Sequence, residues 1–166
     1  VTTWPLWQGL VHVRTEGWPT WWALLGSLVL FTYLDDALYY VMHRTLHHKA
    51  LYRHVHAVHH RVVTPSAITG HYMHPVEFVL TAGLMLVGPL LLHSHVVTAW
   101  AWIALRQWEA AEGHCGYRLP VGLTHLFPGA DGAVPHDFHH SKVHGNYAGF
   151  LGWLDGLLGT RIPAYA

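Results

Sequence analysis

The chain has 166 residues, of which 52% are hydrophobic and 11% charged, with nine Trp, eight Tyr and a formal net charge of zero. That length holds one domain with a core; the missing basic excess excludes a nucleic-acid-binding role, and charge is as scarce as in a chain facing lipid over much of its surface. The single cysteine, Cys115, excludes an intramolecular disulfide and any multi-cysteine zinc set, leaving a small, partly buried residue or a thiolate ligand beside His114.

Trp4, Pro5, Trp7, Trp18 and Pro19 crowd the first twenty residues, which suits an interfacial lead-in better than a buried helix. The chain opens without Met and without the basic n-region of a signal peptide, so it reads as a single domain over residues 1–166 with an upstream segment missing. From Trp21 to Met42 the sequence is apolar apart from Asp35 and Asp36. A helix of that length, rising about 1.5 Å per residue, crosses roughly 30 Å of hydrocarbon. Acidic residues inside a span face a polar cavity or a bound cation, which would set one of them behind a metal-ligating histidine; alternatively the pair marks the end of the span at the interface.

From Leu46 to Tyr72 the chain is polar, basic and rich in histidine, with Pro65 and Gly70 as breakers. Phe78 to Leu105 then runs without a charged residue for longer than one span requires, with Gly88, Pro89 and His93-Ser94-His95 near its middle. This predicts a helical hairpin that dips into or crosses the bilayer and returns; one long helix kinked at Pro89 is the other solution. A hairpin puts both its ends on the membrane face where His43 leaves the first span. Arg14 precedes that span, whereas Arg44, Lys49, Arg53, Arg61, Arg118, Lys142 and Arg161 lie in the polar segments, so the positive-inside tendency makes this face cytoplasmic. After Gly113 an irregular path through Pro120, Gly122, Pro128, Gly129 and Gly132 leads to the closing FLGWLDGLLGT, an amphipathic segment lying along the interface or packed as a terminal helix.

Of 18 histidines, eight fall in three clusters: His43 with His47, then His56, His59 and His60 as HxxHH, a pattern repeated by His136, His139 and His140. Helical residues at i, i+3 and i+4 share a face, so each cluster is expected to aim its imidazoles at a common point. A lone histidine is ordinarily a surface or satisfied core residue, and a histidine-rich tract can be a tag or a storage segment. Clusters at helical spacing, set in apolar and aromatic sequence in three distant places, point instead to a metal site. Imidazoles with few carboxylates suit zinc, copper, iron or nickel better than magnesium or calcium.

The ordered set HRTLHH, HAVHH, HPVE, GHCGY, THLFP, HDFHH, HGNY and WLDGLLGT, from about Phe31 to Thr160, resembles the fatty acid hydroxylase and sterol desaturase superfamily. HPVE, HCGY and HLFP look most like its methylsterol oxidase and cholesterol hydroxylase branch. The resemblance implies an all-α integral membrane domain, one span plus a helical hairpin, with a histidine-rich site for two Fe ions at the cytoplasmic face. The implied ligands are His43, His47, His56, His59, His60, His136, His139 and His140, with His114 and His125 as further positions. His74, beside Pro75, fits a structural turn. Asp35, Asp36, Glu77 and Asp137 are the carboxylates expected to orient imidazoles from behind. Hydrogen-bonding or surface roles fall to His48, His54, His71 and His144, and no site role to His12, His93 and His95.

The implied activity is oxidation of a C–H bond of a sterol or other lipid by O2, as hydroxylation, C4-methyl oxidation or desaturation, or the same chemistry on a carotenoid or fatty acid. Electrons would come ultimately from NAD(P)H through a separate cytochrome b5 or reductase-type protein, since the chain carries no GxGxxG fingerprint and no haem domain. Lys49, Arg53 and Lys142 are candidate contacts for an acidic carrier, against solvated surface charge as the default. Tyr33, Tyr39, Tyr40, Met85 and Trp102 are either pocket lining or packing. The implied location is the endoplasmic reticulum membrane or a bacterial inner membrane. Two other classes remain in view: a membrane metal-binding or transport protein, expected to carry ligands near mid-span, and a zinc hydrolase, for which HExxH is absent.

Overall fold

The computed structural model describes residues 13–163, which are helical with no strand among them; two isolated bridges, Arg14 with His95 and Ala130 with Leu151, are the extended pairings present. Trp4, Pro5, Trp7 and His12 lie outside the described residues. Helix α1 (Trp21–Leu46) is unbroken over 26 residues and begins at Thr20, whose hydroxyl accepts the Ala23 N–H at 3.3 Å. Among the described residues it is the one helix long and apolar enough to cross a membrane. Asp35 and Asp36 do not end it.

The histidine-rich stretch that follows is broken into short pieces: α2 (Lys49–Tyr52), a 3-10 helix over His56–Arg61 and another over Ala67–His71. Pro65 falls between the two 3-10 helices, where it cannot continue a helix. Then come α3 (Pro75–Leu91) and α4 (Val96–Gly113), which meet where Trp102 Nε1–H donates to the Met85 carbonyl at 2.8 Å. The apolar run therefore reverses between Leu91 and Val96, and Pro89 sits in the last turn of α3 instead of kinking one long helix. Three histidines outside the clusters start helices: His48, His74 and His95 each accept the N–H two residues on through Nδ1, at 3.4, 3.2 and 3.2 Å. A 3-10 turn at Thr124–Leu126, α5 (Val134–Lys142) and α6 (Trp153–Leu157) complete the chain.

Helices α1, α3 and α4 pack around Phe31. Its ring meets Trp102 edge-on at 5.8 Å and lies against Gly88, where a Cβ would stand 2.5 Å from Phe31 Cδ1. A small residue is needed for the helices to approach this closely. The burial pattern is inverted relative to a water-soluble domain. Buried positions are held mainly by histidines and carboxylates, while Trp21, Trp22, Val79, Leu91 and Trp100 are exposed. Such a molecule hides polar groups and offers an apolar exterior, the arrangement lipid requires.

Candidate metal centre

Nine histidines converge in two groups. His43, His47, His56, His60 and His139 form the first and His59, His114, His136 and His140 the second, with the candidate ligand nitrogens of each group all within 4.8 Å of one another. Eight of the nine are buried, His47 being partly exposed.

The motifs do not each feed one point. Pairs four residues apart stay together, while the histidine at the third position crosses over: His56 and His60 join the first group and His59 the second, whereas His136 and His140 join the second and His139 the first. The physical reason is angular. On the α-helix over Val134–Lys142 positions i and i+4 lie close to one direction and i+3 on the other side of it, which sends His139 away from His136 and His140, while the 3-10 winding over His56–Arg61 turns the adjacent His59 and His60 about 120° apart. Two HxxHH motifs facing each other thereby trade one histidine each.

Ring orientation is fixed from behind. Nδ1–H donates to a backbone carbonyl in five cases: His43 to Tyr147 at 2.7 Å, His59 to Tyr72 at 3.1 Å, His114 to Ala110 at 2.8 Å, His139 to Gly145 at 2.7 Å and His140 to Val62 at 2.9 Å. In the sixth, His56 donates to Glu77 Oε1 at 2.7 Å. A carbonyl can only accept, so each of those five rings carries its proton on Nδ1 and, when neutral, a bare lone pair on Nε2. The Nε2 atoms nevertheless approach one another: His43 and His56 at 3.0 Å, His47 and His139 at 3.1 Å, His114 and His136 at 2.9 Å, His59 and His114 at 3.4 Å.

Burial, then the neighbouring imidazoles, keeps these rings neutral: His59 is pushed down to about 4, His60 and His114 to about 3, and His136 and His139 well below the ordinary histidine value. His59 and His114, which both carry their proton on Nδ1, turn bare lone pairs at each other at 3.4 Å, and these repel unless a cation sits between them. The donor set therefore fits two metal ions bound by imidazole.

The local chain is bent to serve this. Val143 closes α5 in the left-handed region at φ 68°, an uncommon state for a β-branched residue, and the turn brings the Gly145 carbonyl to His139. Asp155 of α6 accepts the Tyr147 and Ala148 N–H groups at 2.8 Å each and the Thr160 hydroxyl at 2.7 Å, holding the loop whose Tyr147 carbonyl receives His43. The closing segment is thus tied into the site through Asp155, while Leu157 and Leu158 remain exposed.

Among the other sequence-selected residues, His125 stands apart from both groups. It sits on the Thr124–Leu126 turn with Nδ1 3.7 Å from Glu112 Oε1. Cys115 also lies outside them, its thiol directed to the Tyr117 carbonyl. Of the four carboxylates, Glu77 alone contacts a cluster histidine. Asp35 pairs with Arg106 at 2.7 Å, and Asp36 Oδ1 accepts the Phe150 and Leu151 N–H groups at 2.7 and 2.9 Å, stitching α1 to other parts of the chain. Asp137 makes no hydrogen bond to a cluster histidine among the described residues. His54 accepts from Arg53, and His71 pairs with Gln107 at 3.1 Å.

An apolar cavity of about 230 Å³ reaches the second group, with His59, His114 and His136 in its wall. Its body is shaped by Phe78, Ala82 and Met85 of α3 and Ile103 of α4, with Tyr39 of α1. Tyr33, Tyr40 and Trp102 serve packing instead: Tyr33 donates to the Pro128 carbonyl, Tyr40 bonds the Thr160 hydroxyl at 2.9 Å, and Trp102 fills the helix junction. Arg106 and Glu109, whose side chains pair on the cavity wall, were not singled out from sequence as site residues. The available signal was a lone arginine near the end of an apolar run, able to partner the aspartates of the first span.

Residues 28–160 match the fatty acid hydroxylase family. The chain is 39% identical over 145 residues to methylsterol monooxygenase 1 of Gallus gallus, covering 87% of this chain and 49% of that protein. It is 36% identical over 151 residues to methylsterol monooxygenase 1 of Rattus norvegicus, covering 91% and 52%. To very-long-chain aldehyde decarbonylase GL1-11 of Oryza sativa subsp. japonica it is 38% identical over 145 residues, covering 86% and 54%. The chain spans about half the length of these curated relatives, and no solved structure matches it. With a family match over most of its length and the histidines of its HxxxH motif and both HxxHH motifs drawn into two adjoining groups, this chain belongs to the fatty acid hydroxylase family.

Proposed function

We propose that the chain is the membrane domain of a non-haem di-iron oxygenase that oxidises a C–H bond of a sterol or other lipid with O2 and electrons from a separate protein. The observation that carries this reading is the meeting of an apolar cavity with one of two imidazole groups. His43, His47, His56, His60 and His139 would hold one ion and His59, His114, His136 and His140 the other. Bound iron supplies the means of activating O2, which protein side chains lack.

The chain's own part is positioning. Phe78, Ala82, Met85 and Ile103 bind an apolar substrate and exclude water, and the carbonyls behind the imidazoles fix their aim. Glu77 holds His56 in one tautomer. Arg106 is paired on one side with Asp35 and on the other with Glu109, so its guanidinium does not stand as an unpaired charge in the wall. A lipid substrate would reach the cavity from the bilayer, with α1 spanning it and the α3 and α4 pair dipping into the same leaflet. The cations that follow α1 support a cytoplasmic orientation of the histidine face, in the endoplasmic reticulum or a bacterial inner membrane.

The rice relatives favour one second reading, an acyl aldehyde as substrate of the same site. Metal transport is less consistent with ligands gathered around helix ends and polar segments than with a path along spans. The test is incubation of the iron-loaded chain in lipid nanodiscs with 18O2 and a reductant, against 4-methylsterols, fatty acids and long-chain aldehydes, with mass spectrometry of products. Label incorporated into a sterol or other lipid supports the proposal. Oxygen consumption with no labelled product across the panel opposes it, and chain-shortened hydrocarbon from the aldehyde selects the second reading.

A further inference from the structure

Charge enters the apolar cavity along one strip of α4. Ile103, Arg106, Glu109, Ala110 and Gly113 share the face of that helix that forms the cavity wall, and His114 follows at its end. Arg106 and Glu109 are 8% and 5% exposed, so an ionic pair is withdrawn from water beside the space where an apolar molecule would lie.

Asp35 of α1 already pairs with Arg106 at 2.7 Å and ties α1 to α4, and the guanidinium also lies 5.7 Å over the Tyr39 ring. One carboxylate is enough to pair one guanidinium. Glu109 is a second, and a buried carboxylate in excess of cations is costly to keep. Its Oε2 accepts from Arg106, while Oε1 is turned toward Gly113, 3.8 Å from where a Cβ on that residue would stand. Because Gly113 precedes His114, this acceptor oxygen lies on the histidine side of the ion pair.

We propose that Glu109, held in place by Arg106, is a subsite for a hydroxyl group of the substrate and selects neutral lipid alcohols whose hydroxyl lies a few bonds from the carbon oxidised. This rests on the oxygenase reading above and narrows it. Five residues separate Glu109 from His114, about 7.5 Å of helix rise, which places the hydroxyl near the reacting carbon and not at the far end of a long molecule. A hydroxyl has a proton to donate to the carboxylate. A ketone, an aldehyde or an ionised carboxylate can only accept, and two carboxylates against one guanidinium leave no net positive charge to receive an anion. A site built to bond a hydroxyl rejects analogues lacking it more strongly than an apolar pocket does, because its buried polar group is then left unpaired.

The experiment measures binding to the metal-free chain in zwitterionic nanodiscs by displacement of a tritiated 3-hydroxy-4-methylsterol, whose hydroxyl sits on the ring carbon next to the one bearing the methyl group. The competitors are the unlabelled sterol, its 3-deoxy and 3-keto analogues, oleyl alcohol and oleate. For the wild type we expect the 3-hydroxy compound to bind at least about tenfold more tightly than the 3-deoxy and 3-keto compounds, and oleyl alcohol to displace the probe better than oleate. In Glu109→Leu that preference should vanish with 3-deoxy binding kept, and Glu109→Gln, which retains an acceptor oxygen, should keep part of it. Equal affinity of the wild type for the 3-hydroxy and 3-deoxy compounds overturns the subsite without recourse to any variant, as does a probe that neither alcohol displaces. A preference that survives in Glu109→Leu overturns its assignment to Glu109, and oleate outcompeting oleyl alcohol overturns the selection against anions. The oxygenase reading fails by a different readout: an intact preference with no 18O-labelled product from the iron-loaded chain refutes that reading and leaves the subsite standing.

Discussion

His47 and His139 lie ninety-two residues apart in sequence, and their Nε2 atoms meet at 3.1 Å. Because His139 gives its Nδ1 proton to the Gly145 carbonyl, the atom it turns toward His47 is a bare lone pair. A metal ion bound by that lone pair together with the other imidazoles of the group is held in the folded chain only. Metal binding is therefore coupled to stability. Thermal unfolding with and without chelator should differ by more than about 10 °C, as expected for a ligand present far above its dissociation constant; identical curves would contradict this.

The metal-free chain should lose stability in mild acid. His59, His60 and His114 titrate at about 4, 3 and 3 when folded, below the ordinary 6.5. Between those values the unfolded chain takes up protons that the folded chain refuses. Their contribution is thus fully present above about pH 6.5 and is lost as pH falls toward 4, with a slope of up to about 1.4 kcal/mol per pH unit for each histidine. Chemical denaturation of chelated protein at pH 7.5, 6 and 5 checks it; a flat profile would count against neutral buried imidazoles.

Glu77 is the one carboxylate seen behind a cluster histidine. Replacing it with Ala frees the His56 ring and leaves its Nδ1 buried without an acceptor. Affinity for metal should fall by about 10- to 100-fold, the usual scale for such supporting contacts. Competition titration against a calibrated chelator measures it, and Glu77→Gln, which keeps an acceptor oxygen, should lie between the two.

Ala82 of α3 lines the cavity. Ala82→Phe should fill much of the space while leaving metal content unchanged. Turnover of a bulky sterol should drop at least tenfold, and that of a slender acyl chain less. Equal losses for both substrates would mean that the cavity is not where they bind.

Much of the site is written in residue type and spacing. Histidines three and four apart in apolar sequence are visible without coordinates, as are an apolar run too long for one span and the glycine and proline near its middle. The exchange of His59 and His139 between groups is not visible, because it depends on which segment approaches each motif and on a 3-10 turn that spacing does not announce. Nor are the orienting acceptors. Tyr72, Ala110, Gly145, Tyr147 and Val62 act through backbone carbonyls, for which side-chain identity carries no signal. Asp35 and Asp36 drew attention as buried charges in a span, but their partners, Arg106 and the Phe150 and Leu151 amides, are set by tertiary packing. His125 falls in the glycine- and proline-rich stretch, where no periodicity fixes direction.

Each chain is expected to bind two metal ions through imidazole, one in each group, and elemental analysis of purified protein counts them. The wild type should hold about two ions, and His139→Ala and His59→Ala, which each strip one group, should hold about one. One ion or none in well-folded wild-type protein, unchanged by both substitutions, would contradict the account.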